Sequence, residues 1–421
     1  MERFGTDGIR FLYEGESSPF FAYRLGRAIG LLPQAEIILI GRDNRPSGKA
    51  LASALISGLH AMGMVALDLG EISTPAFAYC LTAHHAQYGV MVTASHNPAA
   101  YNGFKVYTGN GHKIGADLQR QIEAHLDFSG AMMGSSYPNE TISPKPYLEA
   151  LESAFAGKVF QGRYLFDFAN GVSATLAKEV LSRHLAHPHF SFDGDGSQVN
   201  EGCGVTHPEA ILGRCHEFDL TFLFDGDGDR VMAYLPDGRC LDGASFLFGF
   251  GRLQKQPVVS TVVATYALET ELSKVGVQTY FESVGDAGVL EKMEAVGATL
   301  GGEPSGHLIF RDFSPSGDGL YAALRLIDLR ENHPEDYENL IAFRPYPFVS
   351  KNLLFPNEEA ARLALENPAF LQTLEEIRAC FDGRIVVRLS GTEPMVRLFI
   401  ESPNEEEHDT ILGWLIAALG Q

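Results

Sequence analysis

An alternating run of aspartates and glycines carries the strongest chemical signal in this sequence. The run is Asp225-Gly-Asp-Gly-Asp-Arg230, directly after an apolar stretch at 220–224. Three carboxylates crowded on one loop repel one another unless a cation offsets their charge. Their oxygen atoms favour magnesium or calcium, and an exposed Asp-Gly turn is the simpler alternative. An EF-hand is excluded because Arg230 and Pro236 stand where that motif requires glycine and glutamate.

A serine loop is the second candidate for chemistry. In Thr93-Ala-Ser-His-Asn-Pro98, Ser95 stands beside His96, after the apolar residues 90–92 and before an Asn-Pro break. This spacing predicts a hydroxyl presented on a tight loop, and a turn capped by serine and asparagine is the alternative. The G-x-S-x-G elbow of hydrolases is absent. Lys105 follows closely enough to reach the same cleft.

Two further segments offer groups that bind oxyanions and hydroxyls. Arg388-Leu-Ser-Gly-Thr-Glu-Pro-Met-Val-Arg397 combines two guanidiniums with the hydroxyls and backbone amides of Ser390, Gly391 and Thr392, which suits a phosphate cradle. Gly301-Gly-Glu-Pro-Ser-Gly-His307 places Glu303 and Ser305 for hydroxyl recognition and His307 for proton transfer. Surface arginines at two strand ends and a glycine-rich turn are the respective alternatives.

The elements that must position these loops follow an α/β pattern. Short apolar, β-branched runs alternate with amphipathic helical stretches, as expected for strands buried on both faces of parallel or mixed sheets. A polar stretch at 129–144 and the helix-breaking Arg344-Pro-Tyr-Pro347 indicate linkers. We therefore expect four domains: 1–146 with the serine loop, 147–242 with the acidic loop, 243–341 with the loop around Glu303, and 342–421 with the phosphate cradle.

Composition narrows the possible partners and the compartment. The chain has 53 acidic and 32 basic residues, a formal charge of −21, which disfavours binding to nucleic acid or to anionic membranes. Five scattered cysteines indicate a reducing cytoplasm, and the spacing of Cys203, His207, Cys215 and His216 fits no standard zinc finger. We expect neither a membrane span nor a signal peptide, because no apolar run is long enough.

Taken together, these segments resemble the α-D-phosphohexomutase family. The similarity runs along nearly the whole chain and in the family's order. It includes Phe4-Gly-Thr-Asp-Gly-Ile-Arg10, Gly41-Arg-Asp-Asn-Arg-Pro-Ser-Gly48 and the loops around Ser95, Asp225, Glu303 and Ser390. The resemblance implies three similar α/β domains with mixed sheets and a smaller C-terminal α+β domain, all around a central cleft.

The resemblance also implies roles for individual residues. Ser95 would be phosphorylated and, with Asp225, Asp227 and Asp229, would hold Mg²⁺. The transfer site would be lined by Arg10, His96, Lys105 and Arg230. The sugar would meet Glu303, Ser305 and His307, and the non-reacting phosphate would meet Arg388, Ser390, Gly391, Thr392 and Arg397.

Within the family, the resemblance is closest to bacterial phosphoglucosamine mutases. It rests on Glu201-Gly-Cys-Gly-Val-Thr-His-Pro-Glu209, Val284-Gly-Asp286 and Ser316-Gly-Asp-Gly-Leu320. It implies interconversion of glucosamine 6-phosphate and glucosamine 1-phosphate through a sugar 1,6-bisphosphate, in a monomer or homodimer. Action on mannose or glucose phosphates stays open, because Tyr101-Asn-Gly-Phe-Lys105 is similar to phosphomannomutase/phosphoglucomutases. Pro304, Phe11 and Leu389 depart from the family pattern, and Pro304 bears on the choice of sugar.

The expected reaction depends on the environment of one hydroxyl. Phosphoryl transfer requires mainly positioning and electrostatic stabilisation, with Lys105 or His307 as general base and acid. We expect the Ser95 side chain to be accessible and to share a cavity with the acidic loop. Two other functions are alternatives. One is an aspartyl-phosphate phosphatase, since Asp225 and Asp227 form a D-x-D pair, and the other is a non-catalytic sugar-phosphate sensor.

Overall fold

The computed structural model describes residues 4–5, 7–15, 17–128, 130, 140–390 and 394–420. The chain forms two compact units. One contains residues 1–263 and 280–341, and the other contains residues 264–279 and 342–421. Among the described ranges, no helix combines the length and the apolar character that crossing a lipid bilayer requires.

The first sheet has six strands in the order β1-β5-β4-β2-β3-β6 and mixes parallel with antiparallel pairs. Its central strand β4 is entirely apolar apart from one glycine and is buried throughout, as the sequence predicts for a strand covered on both faces. The elements are β1 (Ile9–Leu12), α1 (Ser17–Ile29), β2 (Ile37–Arg42), α2 (Gly48–Ala61), β3 (Val65–Glu71), α3 (Thr74–Ala83), β4 (Tyr88–Val92), β5 (Tyr101–Thr108), α4 (Ala116–His125) and β6 (Glu140–Thr141).

The second sheet has five strands in the order β11-β10-β9-β7-β8. Strand β9, which leads into the acidic loop, is buried at every position. Strands β10 and β11 pair antiparallel and form a hairpin around residues 236–238. The elements are α5 (Lys145–Ala154), β7 (Phe160–Asp167), α6 (Ser173–His184), β8 (Leu185–Ser191), α7 (Glu209–Leu212), β9 (Leu220–Phe224), β10 (Val231–Tyr234) and β11 (Cys240–Leu241).

The third sheet has four strands in the order β13-β12-β14-β15. Only part of the run Val258-Val-Ser-Thr-Val-Val263 is a strand, since β12 ends at Thr261, and Val262 and Val263 are more than half exposed. The elements are α8 (Gly243–Gln254), β12 (Val258–Thr261), α9 (Tyr266–Ser273), β13 (Thr279–Glu282), α10 (Asp286–Val296), β14 (Leu300–Gly302), β15 (Leu308–Phe310), α11 (Gly319–Asn332) and α12 (Pro334–Ala342).

The three sheets share one strand order. Each sheet contains four consecutive strands of the chain: β2 to β5, β7 to β10 and β12 to β15. Within each set the first strand lies between the second and the third, and the fourth lies antiparallel beside the third. The resulting orders are β3-β2-β4-β5, β8-β7-β9-β10 and β13-β12-β14-β15. The turns between third and fourth strands are residues 93–100, 225–230 and 303–307. This confirms three similar α/β units and puts each predicted loop at the same topological position.

The second compact unit contains an antiparallel sheet of three strands in the order β16-β18-β17. One sheet face packs on helices through a core that includes Val396, Leu398 and Ile400. Residues 343–347 form neither helix nor strand, as their prolines predict. The elements are β16 (Phe348–Leu354), α13 (Glu358–Glu366), α14 (Pro368–Cys380), β17 (Arg384–Leu389), β18 (Met395–Glu401) and α15 (His408–Ala418).

Candidate active site

Ser95 lies directly against the acidic loop. Its Oγ donates a hydrogen bond to Asp225 Oδ2 at 2.8 Å, and its backbone N–H donates to Thr93 Oγ1 at 3.0 Å. The expected accessibility of this side chain is wrong, because Ser95 is fully buried. The cause is the close packing of the two loops: a Cβ built on Gly226 would stand 2.9 Å from the Ser95 carbonyl oxygen.

Asp225, Asp227 and Asp229 form a buried cluster. One carboxylate oxygen of each lies within 4.8 Å of the other two. Burial, followed by repulsion from Asp229 and Asp227, raises the pKa of Asp225 well above its usual range. The Oδ1 atoms of Asp227 and Asp229 are buried and have no hydrogen-bond partner within the described residues. Carboxylate oxygens this close together, two of them without a hydrogen bond, fit a hard divalent cation.

Lys105 approaches the same cluster from β5. Its Nζ lies 2.8 Å from Asp227 Oδ2 and 2.7 Å from Asp229 Oδ2, so it does not bind the Oδ1 atom of either residue. Burial alone lowers the pKa of this amine, but the carboxylates of Asp227, Asp229 and Asp7 outweigh it and raise the pKa well above its usual range. The side chain is therefore a fixed positive charge in this arrangement.

Three helix N-termini meet the backbone of the acidic loop. Val172, the residue before α6, donates its N–H to the Gly226 carbonyl at 3.0 Å. Thr74 at the start of α3 donates to the Asp227 carbonyl at 2.9 Å, and Gly319 at the start of α11 donates to the Gly228 carbonyl at 3.2 Å. The positive ends of three helix dipoles thus face a negatively charged loop and stabilise it.

Arg10, His96 and Arg230 surround Ser95 and the aspartates. Arg10 donates from Nη1 to Asn97 Oδ1 at 2.8 Å, and His96 Nδ1 lies 3.5 Å from Ser95 Oγ. Burial, reinforced by the charges of Arg230 and Arg10, lowers the pKa of His96. The Arg230 backbone N–H donates to Asp225 Oδ1 at 3.2 Å, and its Nε is 3.9 Å from Asp229 Oδ1.

The loop with Glu303, Ser305 and His307 adjoins the acidic loop. Arg230 and His307 form an antiparallel bridge, and Ser305 Oγ donates to Glu303 Oε2 at 3.4 Å. His307 is buried, its Nε2 lies 3.5 Å from Asp286 Oδ2, and its ring has no hydrogen bond within the described ranges. A cavity of about 90 Å³ opens here, lined by Asp7, Lys113, Asp229, Arg230, Val284, Gly285, Asp286, Glu303 and His307.

The predicted phosphate cradle lies in the second compact unit. Arg388 on β17 stands directly opposite Arg397 on β18 in the antiparallel register. Ser390 is buried, and its Oγ has no hydrogen-bond partner in the part of the chain that the structure describes. Gly391 and Thr392 lie outside the described residues. Two guanidiniums and a buried hydroxyl at one end of a sheet suit an oxyanion.

Five residues at the site have no predicted role in the sequence analysis. Arg45 and Asn200 bind the serine loop, while Lys113 bridges Asp7 and Asp286 by ion pairs. Asp7, Arg45 and Asp286 stand inside segments that carry the family resemblance, which was a usable signal. Asn200 and Lys113 stand outside those segments, and no local pattern distinguishes them.

The fold and the site define an enzyme of the sugar-phosphate mutase class, built from three like α/β units and a smaller C-terminal domain. Residues 1–130 match phosphoglucomutase/phosphomannomutase alpha/beta/alpha domain I, residues 243–346 match alpha/beta/alpha domain III, and residues 358–412 match the C-terminal domain. The chain belongs to the phosphoglucomutase/phosphomannomutase family.

The sequences and structures of known proteins that are similar to this chain support its place in the family. The phosphoglucosamine mutase of Geobacillus kaustophilus is 36% identical, over 96% of this chain and 95% of its own. A phosphoglucomutase/phosphomannomutase family protein from Burkholderia thailandensis has the same fold, with a TM-score of 0.79 at 23% identity over 98% and 96% of the two chains. Aspergillus fumigatus N-acetylphosphoglucosamine mutase, solved in complex with GlcNAc-6P and magnesium, has a TM-score of 0.64 at 16% identity, over 99% and 95%.

Proposed function

We propose that this protein interconverts glucosamine 6-phosphate and glucosamine 1-phosphate through a phosphorylated Ser95 and a sugar 1,6-bisphosphate. The product would enter the synthesis of UDP-N-acetylglucosamine and cell-wall precursors. The observation that carries the proposal is the 2.8 Å hydrogen bond from Ser95 Oγ to Asp225, within a buried cluster of three aspartates. The named relative at 36% identity over nearly the whole chain supports the amino sugar.

Mg²⁺ is the cation proposed for the acidic cluster. Asp225, Asp227 and Asp229 would hold it together with an oxygen of Ser95. Bound there, the ion would offset the charge of the transferring phosphoryl group. The buried Oδ1 atoms of Asp227 and Asp229, which accept no hydrogen bond from the described residues, support this assignment.

Side chains of the first compact unit would supply positive charge at the reacting phosphate and accept the proton that the substrate loses. Arg10, Lys105 and Arg230 supply positive charge around Ser95, which phosphorylation makes more negative by about 1.5 to 2 charges. The substrate hydroxyl must lose a proton as its oxygen attacks phosphorus. His307 is the better candidate to accept it, since Lys105 is held as an ammonium by two carboxylates.

Burial of Ser95 requires a movement during the cycle. A hydroxyl that faces the Asp225 carboxylate and is covered by its loop cannot meet a sugar, so the Ser95 side chain must become exposed before phosphate is transferred.

The second unit is proposed to hold the phosphate that does not react. Arg388, Ser390 and Arg397, together with Gly391 and Thr392, would bind it in either orientation of the bisphosphate. Glu303 and Ser305 would bind sugar hydroxyls that both orientations share. We place the three boundaries between the four domains as the sequence predicts, after residues 146, 242 and 341. The free cysteines support a cytoplasmic location.

A phosphomannomutase/phosphoglucomutase is the second candidate, favoured by the segment Tyr101-Asn-Gly-Phe-Lys105 on β5. The deciding experiment compares kcat/KM for glucosamine 1-phosphate, glucose 1-phosphate and mannose 1-phosphate, with the matching bisphosphate as primer. We expect glucosamine 1-phosphate to be preferred by at least about tenfold, worth about 1.4 kcal/mol. Equal or higher values for either neutral sugar would assign the protein to the second candidate.

A further inference from the structure

A buried guanidinium fixes the backbone of the serine loop. Arg45 is 2% exposed, and its Nε donates to Asp43 Oδ2 at 2.8 Å. An arginine has five N–H donors. The other four bind backbone carbonyl oxygens of the loop: those of Ser95, Asn97, Pro98 and Tyr101, at 2.8, 2.7, 2.6 and 2.9 Å.

An amide from the second α/β unit reaches the same carbonyls. Asn200 is 3% exposed, and its Nδ2 donates to the carbonyl oxygens of Ser95 and Asn97 at 2.8 and 2.9 Å. Ser95 and Asn97 therefore each accept two side-chain hydrogen bonds, one from each of two neighbouring α/β units. Such double engagement of loop carbonyls leaves little freedom to rotate the peptide between them.

The conformation held in this way is one that serine avoids when unrestrained. The φ angle of Ser95 is +48°, in the left-handed region, which costs an L-residue roughly 1–2 kcal/mol. Residues persist there only when the surrounding structure holds them. In this conformation the Ser95 hydroxyl points at Asp225 while its carbonyl points at Arg45 and Asn200.

We propose that Arg45 and Asn200 are positioning residues that hold Ser95 in the backbone conformation from which its hydroxyl, or its phosphate, faces the acidic loop. The proposal rests on the proposed function of Ser95 and assigns to the second α/β unit a share in controlling it. Neither side chain reaches the Ser95 hydroxyl; both act through the backbone. A displacement of about 1 Å at a reacting group can cost about 100-fold in rate.

The test uses Asn200→Ala and the matched control Asn44→Ala in the full-length protein. Asn44 is also an amide that links the first and second α/β units, since its Nδ2 donates to the Asn170 carbonyl at 3.0 Å. It makes no hydrogen bond to the serine loop among the described residues. Arg45→Lys, which keeps the charge but loses two of the five donors, is the second variant.

The measurements are kcat and KM with primer bisphosphate, the melting temperature, and hydrogen exchange of the peptide covering residues 93–101. We expect Asn200→Ala to lower kcat about tenfold or more with KM within about twofold, and to speed exchange in that peptide. Asn44→Ala should leave kcat within about twofold and exchange in that peptide unchanged. If Asn200→Ala lowers the melting temperature more than the control does, Asn200→Gly replaces it, because the φ angle of Asn200 is +59°, which glycine adopts without strain.

The proposal is overturned if the Asn200 variant and Arg45→Lys both keep wild-type kcat, or if Asn44→Ala slows the enzyme equally. The hydrogen-exchange measurement distinguishes failure of this positioning role from failure of the proposed function. Wild-type protein without mutase activity would remove the proposed function. An active wild-type enzyme whose peptide 93–101 exchanges equally fast in the Asn200 and Asn44 variants would remove only the positioning role.

Discussion

The Ser95 hydroxyl and the Asp225 carboxylate are joined by a 2.8 Å hydrogen bond although 130 residues separate them in the chain. Each residue follows a fully buried strand at the same position of two sheets with the same strand order. The site is thus assembled between repeated units. Backbone amides from all three α/β units converge on the acidic loop, so its geometry depends on their joint packing.

Magnesium should stabilise the protein through the acidic cluster. A ligand that binds only the folded state at 100 times its Kd adds about 2.7 kcal/mol of stability, so thermal denaturation with and without Mg²⁺ should show a clear rise in Tm. Asp227→Asn should abolish most of that rise, whereas the exposed Asp237→Asn should retain it. An equal magnesium-dependent rise in the Asp227 variant would place the ion elsewhere.

Replacing His307 by glutamine should affect proton transfer more than binding. General acid–base groups contribute about 10²–10⁴-fold, so kcat should fall by at least about 100-fold with a small change in KM. Steady-state kinetics of His307→Gln and of the partly exposed control His207→Gln would measure this. A kcat within about threefold of the wild-type value would indicate that Lys105, and not His307, is the general base.

Arg397→Ala should weaken the binding of the 1-phosphate and of the 6-phosphate to a similar degree. The cradle would contact the phosphate group and not the sugar. A hydrogen bond to a charged group is worth about 1.5–3 kcal/mol, which corresponds to a rise in KM of roughly 10- to 100-fold. The control is Arg362→Ala, an exposed position on α13 in the same compact unit. An effect on only the 1-phosphate or only the 6-phosphate would contradict a shared cradle.

Asp318 should make stability depend on pH between about 4 and 6. It caps α11 by accepting from the Tyr321 N–H, and burial raises its pKa from 3.8 to about 6. In that interval the folded state binds more protons than the unfolded state, so stability falls as pH rises, by about 3 kcal/mol at most.

Asp318→Asn keeps the cap and cannot ionise. Urea denaturation at pH 4.5 and pH 7 should therefore show the variant gaining stability relative to wild type at the higher pH. The exposed Asp237→Asn should show no such gain. A wild-type profile parallel to that of Asp318→Asn would contradict the assignment.

Much of the fold and the chemical loops could be predicted because their signals are local. The buried run before Asp225 and the alternation of acids with glycines both lie within ten residues. The hydrogen bonds of Arg45 to the serine loop span about 50 residues and those of Asn200 more than 100, so no local pattern shows them. Burial of Ser95 escaped prediction for the same reason, since the covering loop comes from another unit. Strand β6, at the end of a polar stretch, has no apolar signature.

The most direct measurement of the central claim is the location and chemistry of the phosphoenzyme. Protein incubated with a hexose 1,6-bisphosphate and Mg²⁺ is digested, and the phosphorylated residue is identified by mass spectrometry before and after treatment with hydroxylamine. We predict one phosphate on Ser95, stable to hydroxylamine, and no phosphoenzyme or mutase turnover in Ser95→Ala even with added primer. A hydroxylamine-labile phosphate on Asp225, or near-normal turnover by Ser95→Ala, would contradict the account.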